Sequence, residues 1–471
     1  MNKSASTQVS EQPSGVGSAT SIGLLQSIFT QHWLAPEAIA LWTDEATIRA
    51  WLRVELTLAQ AQSDPDIGLI PQGTHEAMRA RIRLSELDLL SIQAEIAHTA
   101  HPFVPLLHQL EAMLGNELAG YLHWGATTQN IFDTADAWRL KQSHGLLMPY
   151  LDQSLALLAE LATAHKHTPQ TGRTHGQHAL PMTFGFKIAA WRAELRRHHG
   201  RLTEAARHDF WAMMGGAVGT FSAMQGKGQW VQQRVAQLLG LSSMDVSMRS
   251  SSDGFAHYAS LLSLMAATVE KIAREVIFLQ RNEIAEVAES FHRGKVGSST
   301  MSQKRNPQTA MNLVTISRLL RSRAALLCDS MIQQDEGDAA SSNMVGVVLP
   351  ELAILAVSVV RNLHTLLAGL TVDTVAMQRN LQVSGGLIVS EAVMMALAIH
   401  LGRHTAHKVL YDVAHDSHDS GKSFMALIAA HPSVQPLRHR LDLAALLKPE
   451  NYLGESAQIV EQEIQKIPRQ I

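Results

Sequence analysis

The sequence of 471 residues is long enough for about three folding units of roughly 150 residues each. A hydrophobic share of 46% supplies a large core and excludes a disordered chain. Lys plus Arg number 39 against 42 for Asp plus Glu, a net charge of −3, which excludes a broadly basic surface and so nucleic acid or an anionic membrane as main partner.

In chain order, residues 1–20 lack the apolar stretch of a signal peptide and read as a disordered lead-in. Thr43 is a fitting N-cap for the first strong helix, with Asp44 and Glu45 in its first turn and Ile48, Trp51, Leu52, Leu56 and Ala59 along one face. Asp64-Pro65 and Pro71-Gln72-Gly73 stop it. A domain edge falls near His123, before a loop of small polar residues. Phe255–Arg293 then runs 39 residues without Gly or Pro. As one helix it would span about 58 Å. Its Leu261, Leu262, Leu264, Met265, Val269, Ile272, Val276 and Ile277 form an apolar face too broad for one partner helix, as in a helical oligomer. Gln308–Glu336 and Glu351–Ala368 are similarly unbroken. A second edge falls near Gly369, where the helices shorten.

No stretch alternates long enough to build a sheet, and Pro350, Glu351 and Glu391 interrupt the most apolar runs before the roughly 20 residues a membrane span needs. The expected fold is all-α, with an N-terminal helical domain over 21–123, a central long-helix bundle over 124–369 and a C-terminal helical domain over 370–471. The single cysteine, Cys328, excludes an intrachain disulfide and fits a reducing, cytoplasmic setting; Leu326 and Leu327 beside it point to a core thiol. His404/His407, His415/His418 and the adjacent His198-His199 match no zinc pattern, so no metal is expected.

Three polar segments interrupt this helical chain. In Gly297-Ser298-Ser299-Thr300-Met301-Ser302-Gln303-Lys304-Arg305-Asn306-Pro307, glycine and serines give a mobile backbone with free N–H groups able to close over an anion, while Lys304 and Asn306 add a cation and an amide donor. The order resembles the GSSxMPxKxNP signature of the fumarase/aspartase superfamily, with Ser302 in place of the signature proline. Gly172-Arg173-Thr174-His175-Gly176-Gln177 is similar to the family's GRTHxQ segment and singles out His175 among 24 histidines, though not His178. His123-Trp124-Gly125-Ala126-Thr127-Thr128-Gln129-Asn130 resembles the HWGATSQD segment of 3-carboxy-cis,cis-muconate cycloisomerases and adenylosuccinate lyases, with Thr128 for serine and Asn130 for aspartate. Weaker likenesses, among them Gly216–Thr220, Glu283 and Glu286, carry the resemblance over nearly the whole chain after residue 30.

The resemblance implies a cofactor-free enzyme that reversibly breaks a C–N or C–O bond β to a carboxylate, usually releasing fumarate. Removing the weakly acidic C–H proton needs a base, a stabiliser for the charge that develops and an acid for the leaving group. By the resemblance Ser298 is the base, its alkoxide stabilised by loop N–H groups, a helix terminus or Lys304. His175 is then the acid, Lys304 and Asn306 hold one substrate carboxylate, and Thr127 and Thr128 hold the other. His101, Asn130 and Gln177 complete the substrate-binding set, His101 lying in Thr99-Ala100-His101-Pro102, similar to a histidine-bearing segment of adenylosuccinate lyases. The implied assembly is a homotetramer whose sites each draw on three subunits and take a small dicarboxylate.

Departures narrow the substrate. Gly337 and Gly346 stand where the HERDxSHSSxxR segment of adenylosuccinate lyases has two arginines that help bind phosphate, and Ser252 replaces the arginine usual before Asp253, which disfavours a nucleotide. Bacterial carboxymuconate cycloisomerases often have Trp where His175 stands and lack a histidine at the place of His101. The expectation is anti β-elimination from a small succinate bearing an amino, substituted amino or nitro group. A lactonising cycloisomerase is the alternative, and a non-catalytic, crystallin-like oligomer a remote one.

Overall fold

Five long helices carry the body of the protein in the computed structural model, which describes Leu25 and residues 27–466. The lead-in expected over 1–20 lies outside them. The helices are α1 (Thr128–Ala164), α2 (Phe184–His208), α3 (Asp253–Leu279), α4 (Gln308–Asp329) and α5 (Ala339–Ala368). Each packs on the next, and α5 returns to α1, so the five close into a ring. Leu147, Leu151, Leu155 and Leu158 of α1, Val269, Ile272 and Val276 of α3, and Leu313, Ile316 and Leu320 of α4 fill its interior. These are positions three or four apart, the stripe one helical face presents to a core.

The boundaries differ from the sequence expectation in physically informative ways. The run from Phe255 does not continue to Arg293: α3 ends at Leu279. There Gln280 turns its side chain to outside backbone, donating from Nε2 to Arg305 O at 3.1 Å and accepting at Oε1 from Glu289 N at 2.9 Å. Lack of Gly and Pro permits a helix but does not oblige one. Pro350 interrupts nothing; it lies inside α5, which starts at Ala339. That helix is long and apolar enough to cross a membrane by length and composition, yet 67% of its apolar window is buried in the protein, the pattern of a core helix. Cys328 is exposed, 3.5 Å from Ser260 Oγ, because Leu327 takes the inward position on α4.

The fold is all-α apart from short two-stranded pairings. One was not legible in the sequence: β1 (Pro169–Thr174) and β2 (Gln177–Thr183) form an antiparallel hairpin between α1 and α2. A second apolar cluster gathers the Asp44–Gln62 helix, the Val104–Ala119 helix and the start of α1, and a third occupies Leu381–Leu447. Thr43 caps the Asp44–Gln62 helix as its sequence predicts, its hydroxyl accepting from Ala46 N at 3.2 Å.

Candidate active site

The signature segment between α3 and α4 folds into a loop with a closed neck. Gly297 packs so tightly on the Lys304 carbonyl that a Cβ there would clash with it, and Asn306 Nδ2 donates to Gly297 O at 2.6 Å. The neck turns the backbone amides of the tip inward: Met301 N and Thr300 N donate to Ser298 Oγ at 3.1 and 3.4 Å. These are the loop N–H groups that an alkoxide at Ser298 requires, held before any charge forms. Lys304 is exposed beside them and, with Arg281, Arg305 and Asn306, lines a cavity of about 950 Å³ under the loop.

The feet of the loop are pinned by Glu289, which is buried. Its carboxylate accepts from Lys295 Nζ at 2.9 Å and from Thr309 N and Ala310 N at 3.2 Å, a negative charge on the first turn of α4. Three residues earlier, fully buried Glu286 performs the same service for the hairpin. It accepts from Arg173 at 2.5 and 3.2 Å, from Gln170 Nε2 at 2.6 Å and from Asn380 Nδ2 at 2.8 Å. The hairpin thus held presents His175 at its tip. His175 and Gly176 have φ of 53° and 79°, a two-residue turn of the primed kind. His175 and Gln177 are exposed, free to reach a neighbouring surface.

The third segment starts α1. Asn130 is fully buried, and its Oδ1 accepts from Thr127 N at 3.1 Å and Gly216 N at 2.9 Å. The structure therefore places Asn130 under the site as an organiser and not on its surface. Thr127 and Thr128 remain partly exposed at the positive end of a long helix, suited to a carboxylate. Asn306, assigned by resemblance to a substrate carboxylate, has its amide nitrogen engaged with the loop neck. His101 Nδ1 accepts from Phe103 N and Val104 N at 3.3 and 3.2 Å. With Nδ1 so engaged, Nε2 is the ring nitrogen left to donate.

A pair that the sequence reading missed stands beside these groups. His123 Nδ1 lies 2.6 Å from Glu55 Oε1, and Phe103 packs on the His123 ring at 5.5 Å. Burial alone would lower the His123 pKa, but the hydrogen bond and charge of Glu55 outweigh it and raise it. The only local signal is an acid among the apolar positions of its helix. His101, His123, Thr127 and Thr128 thus share one corner, while the serine loop and the His175 hairpin form two others. Among the described residues no hydrogen bond or ion pair joins the three. His198 and His199 are buried and bonded, to Thr268 Oγ1 and to Asp152, both at 2.9 Å.

A long-helix bundle thus presents a serine in an amide nest, a hairpin histidine and a threonine-lined helix end. A family model described as a lyase matches residues 32–319, and one described as the adenylosuccinate lyase C-terminus matches 386–462. The chain belongs to the fumarase/aspartase superfamily. It is 35% identical to an N-acetyl-S-(2-succino)cysteine lyase of Enterococcus italicus, over 90% of this chain and 93% of that protein. It is 33% identical to an adenylosuccinate lyase of Methanocaldococcus jannaschii, over 92% and 94%. The solved β-carboxy-cis,cis-muconate cycloisomerase of Acinetobacter calcoaceticus superposes with a TM-score of 0.86 at 26% identity, covering 94% of this chain and 100% of that one.

Proposed function

We propose that this protein eliminates an amine from a small N-substituted succinate and releases fumarate. The observation that carries the reading is Ser298 Oγ held by the amides of Thr300 and Met301 beside an exposed Lys304. Thr127 and Thr128 with the positive end of α1 hold one carboxylate, and Lys304 holds the other. The Ser298 alkoxide takes the C–H proton next to the Lys304-bound carboxylate, which accepts the developing charge. That electron pair forms the C=C bond as the opposite C–N bond breaks, and His175 gives its proton to the departing nitrogen. An alkylamine leaves poorly unless protonated, so a histidine at the hairpin tip favours nitrogen. Among the described residues no hydrogen bond or ion pair joins the three segments, and on this reading neighbouring copies complete the site, in keeping with the homotetramer the resemblance implies.

A second reading, a thiol leaving group, is supported by the likeness to the N-acetyl-S-(2-succino)cysteine lyase. A panel of N- and S-substituted succinates, followed by fumarate absorbance, tests both. Fumarate from the amino compounds supports the proposal. Release from thioethers alone shifts the reading to sulfur, and lactonisation of 3-carboxymuconate without fumarate release from any of them overturns it.

A further inference from the structure

The loop before α3 brings an arginine to the first turns of α1. Its Ser247 carbonyl meets Gly219 so closely that a Cβ there would clash, and a Cβ on Gly215 would lie 2.6 Å from Ser247 Oγ. The same glycine turn is tied through Gly216 N and Asn130 to Thr127. Arg249 shares a wall with Asp133 in the second turn of α1, the helix that Thr127 and Thr128 begin.

Its side chain then lies across Gly337. A Cβ at 337 would clash with Arg249 Nε and sit 2.7 Å from Cζ, so only glycine leaves this path open. Arg249 Nε is buried without a hydrogen-bond partner, and no carboxylate among the described residues pairs with the guanidinium. Asp133 lies near enough to feel the charge, but burial pushes its carboxyl up to about 7. The surrounding wall adds Ser251, Ser252, Gln333 and Ser342, which carry no charge. With its acid neighbour only partly ionised near neutrality, the half-buried guanidinium gains from a ligand that supplies a full negative charge.

We propose that Arg249 is the specificity residue of this site, pairing with a carboxylate carried by the leaving group. A planar guanidinium matches a carboxylate through two parallel hydrogen bonds. The proposal rests on the reading of the site as one for substituted succinates, and it narrows the substrate class to those whose departing amine is itself an acid.

Binding to the catalytically dead Ser298→Ala tetramer separates this question from turnover. The ligands are aspartate N-alkylated with a carboxymethyl group and the same compound with that group as its amide, compared by calorimetry. The acid is expected to bind about 10-fold or more tighter than the amide, and Arg249→Met to remove that gap while leaving amide affinity within about threefold. Arg249→Lys should keep part of the gap, and light scattering should report the same assembly for all variants. A gap that is absent in the parent, or that survives Arg249→Met, overturns the proposal. Failure of the substrate panel to release fumarate overturns the proposed reaction while leaving a charge-dependent binding result standing.

Discussion

In the proposed reaction Ser298 owes its suitability as a base to its immediate surroundings. An ordinary serine hydroxyl is too weak an acid to work near neutrality; two inward amides and a nearby ammonium change the balance by favouring the alkoxide. Ser298→Ala should therefore lower kcat by about 10³-fold or more with the assembly intact by light scattering. His175→Asn should discriminate between leaving groups. Turnover of amino-substituted succinates should fall about 10²-fold, and that of thioethers far less, because a thiolate departs without a proton. The His123–Glu55 pair makes a different prediction. A histidine pKa raised by folding contributes stability that is full below its ordinary 6.5 and fades as pH climbs through the raised value. Glu55→Gln removes the cause, so its deficit in Tm should be larger at pH 6 than at pH 9.

At the scale of elements, one short stretch after α3 holds both candidate catalytic segments. Glu286 points to the hairpin that carries His175, and Glu289 to both feet of the loop that carries Ser298. Glu289→Gln keeps an acceptor but leaves the Lys295 ammonium, 20% exposed, with the Ser290 carbonyl and without its anionic partner. Such a loss costs about 1–3 kcal/mol and falls on the loop before it falls on the bundle. The expected outcome is faster tryptic cleavage at Lys304 or Arg305 and a lower kcat, with the helical circular dichroism unchanged. Equal cleavage rates in variant and parent would show that the loop is held by other means.

The whole molecule is built for company. Leu264 is 53% exposed on α3, next to the apolar face that fills the ring, and Met311 and Leu326 are exposed on α4. Covering such side chains is worth about 25 cal/mol per Å², a contribution in the direction of assembly. On the proposed reading a complete site takes its serine loop, histidine hairpin and threonine corner from different copies. Ser298→Ala and His175→Asn, each impaired alone on amino-substituted succinates, should therefore regain activity when their subunits are exchanged, in about a quarter of the sites for random pairing. Exchanged mixtures that stay inactive would place both residues in one chain's site.

The sequence by itself determined what lies within a few residues of its cause. The order Gly297, Ser298, Lys304, Asn306 is enough to make a loop with free amides, Thr43 and Asp44 to start a helix, and spaced leucines to make a bundle, since caps, turns and helical faces depend on near neighbours. Only the tertiary structure decided that α3 stops at Leu279, that Pro350 is absorbed into α5, that Asn130 works beneath the site, and that Arg249 reaches across Gly337. Each of these depends on a partner far along the chain: Gln280 on Arg305, Asn130 on Gly216, Arg249 on a backbone 88 positions away. Periodicity and motif spacing carry no record of such contacts, because the energy that selects them exists only once the helices have packed.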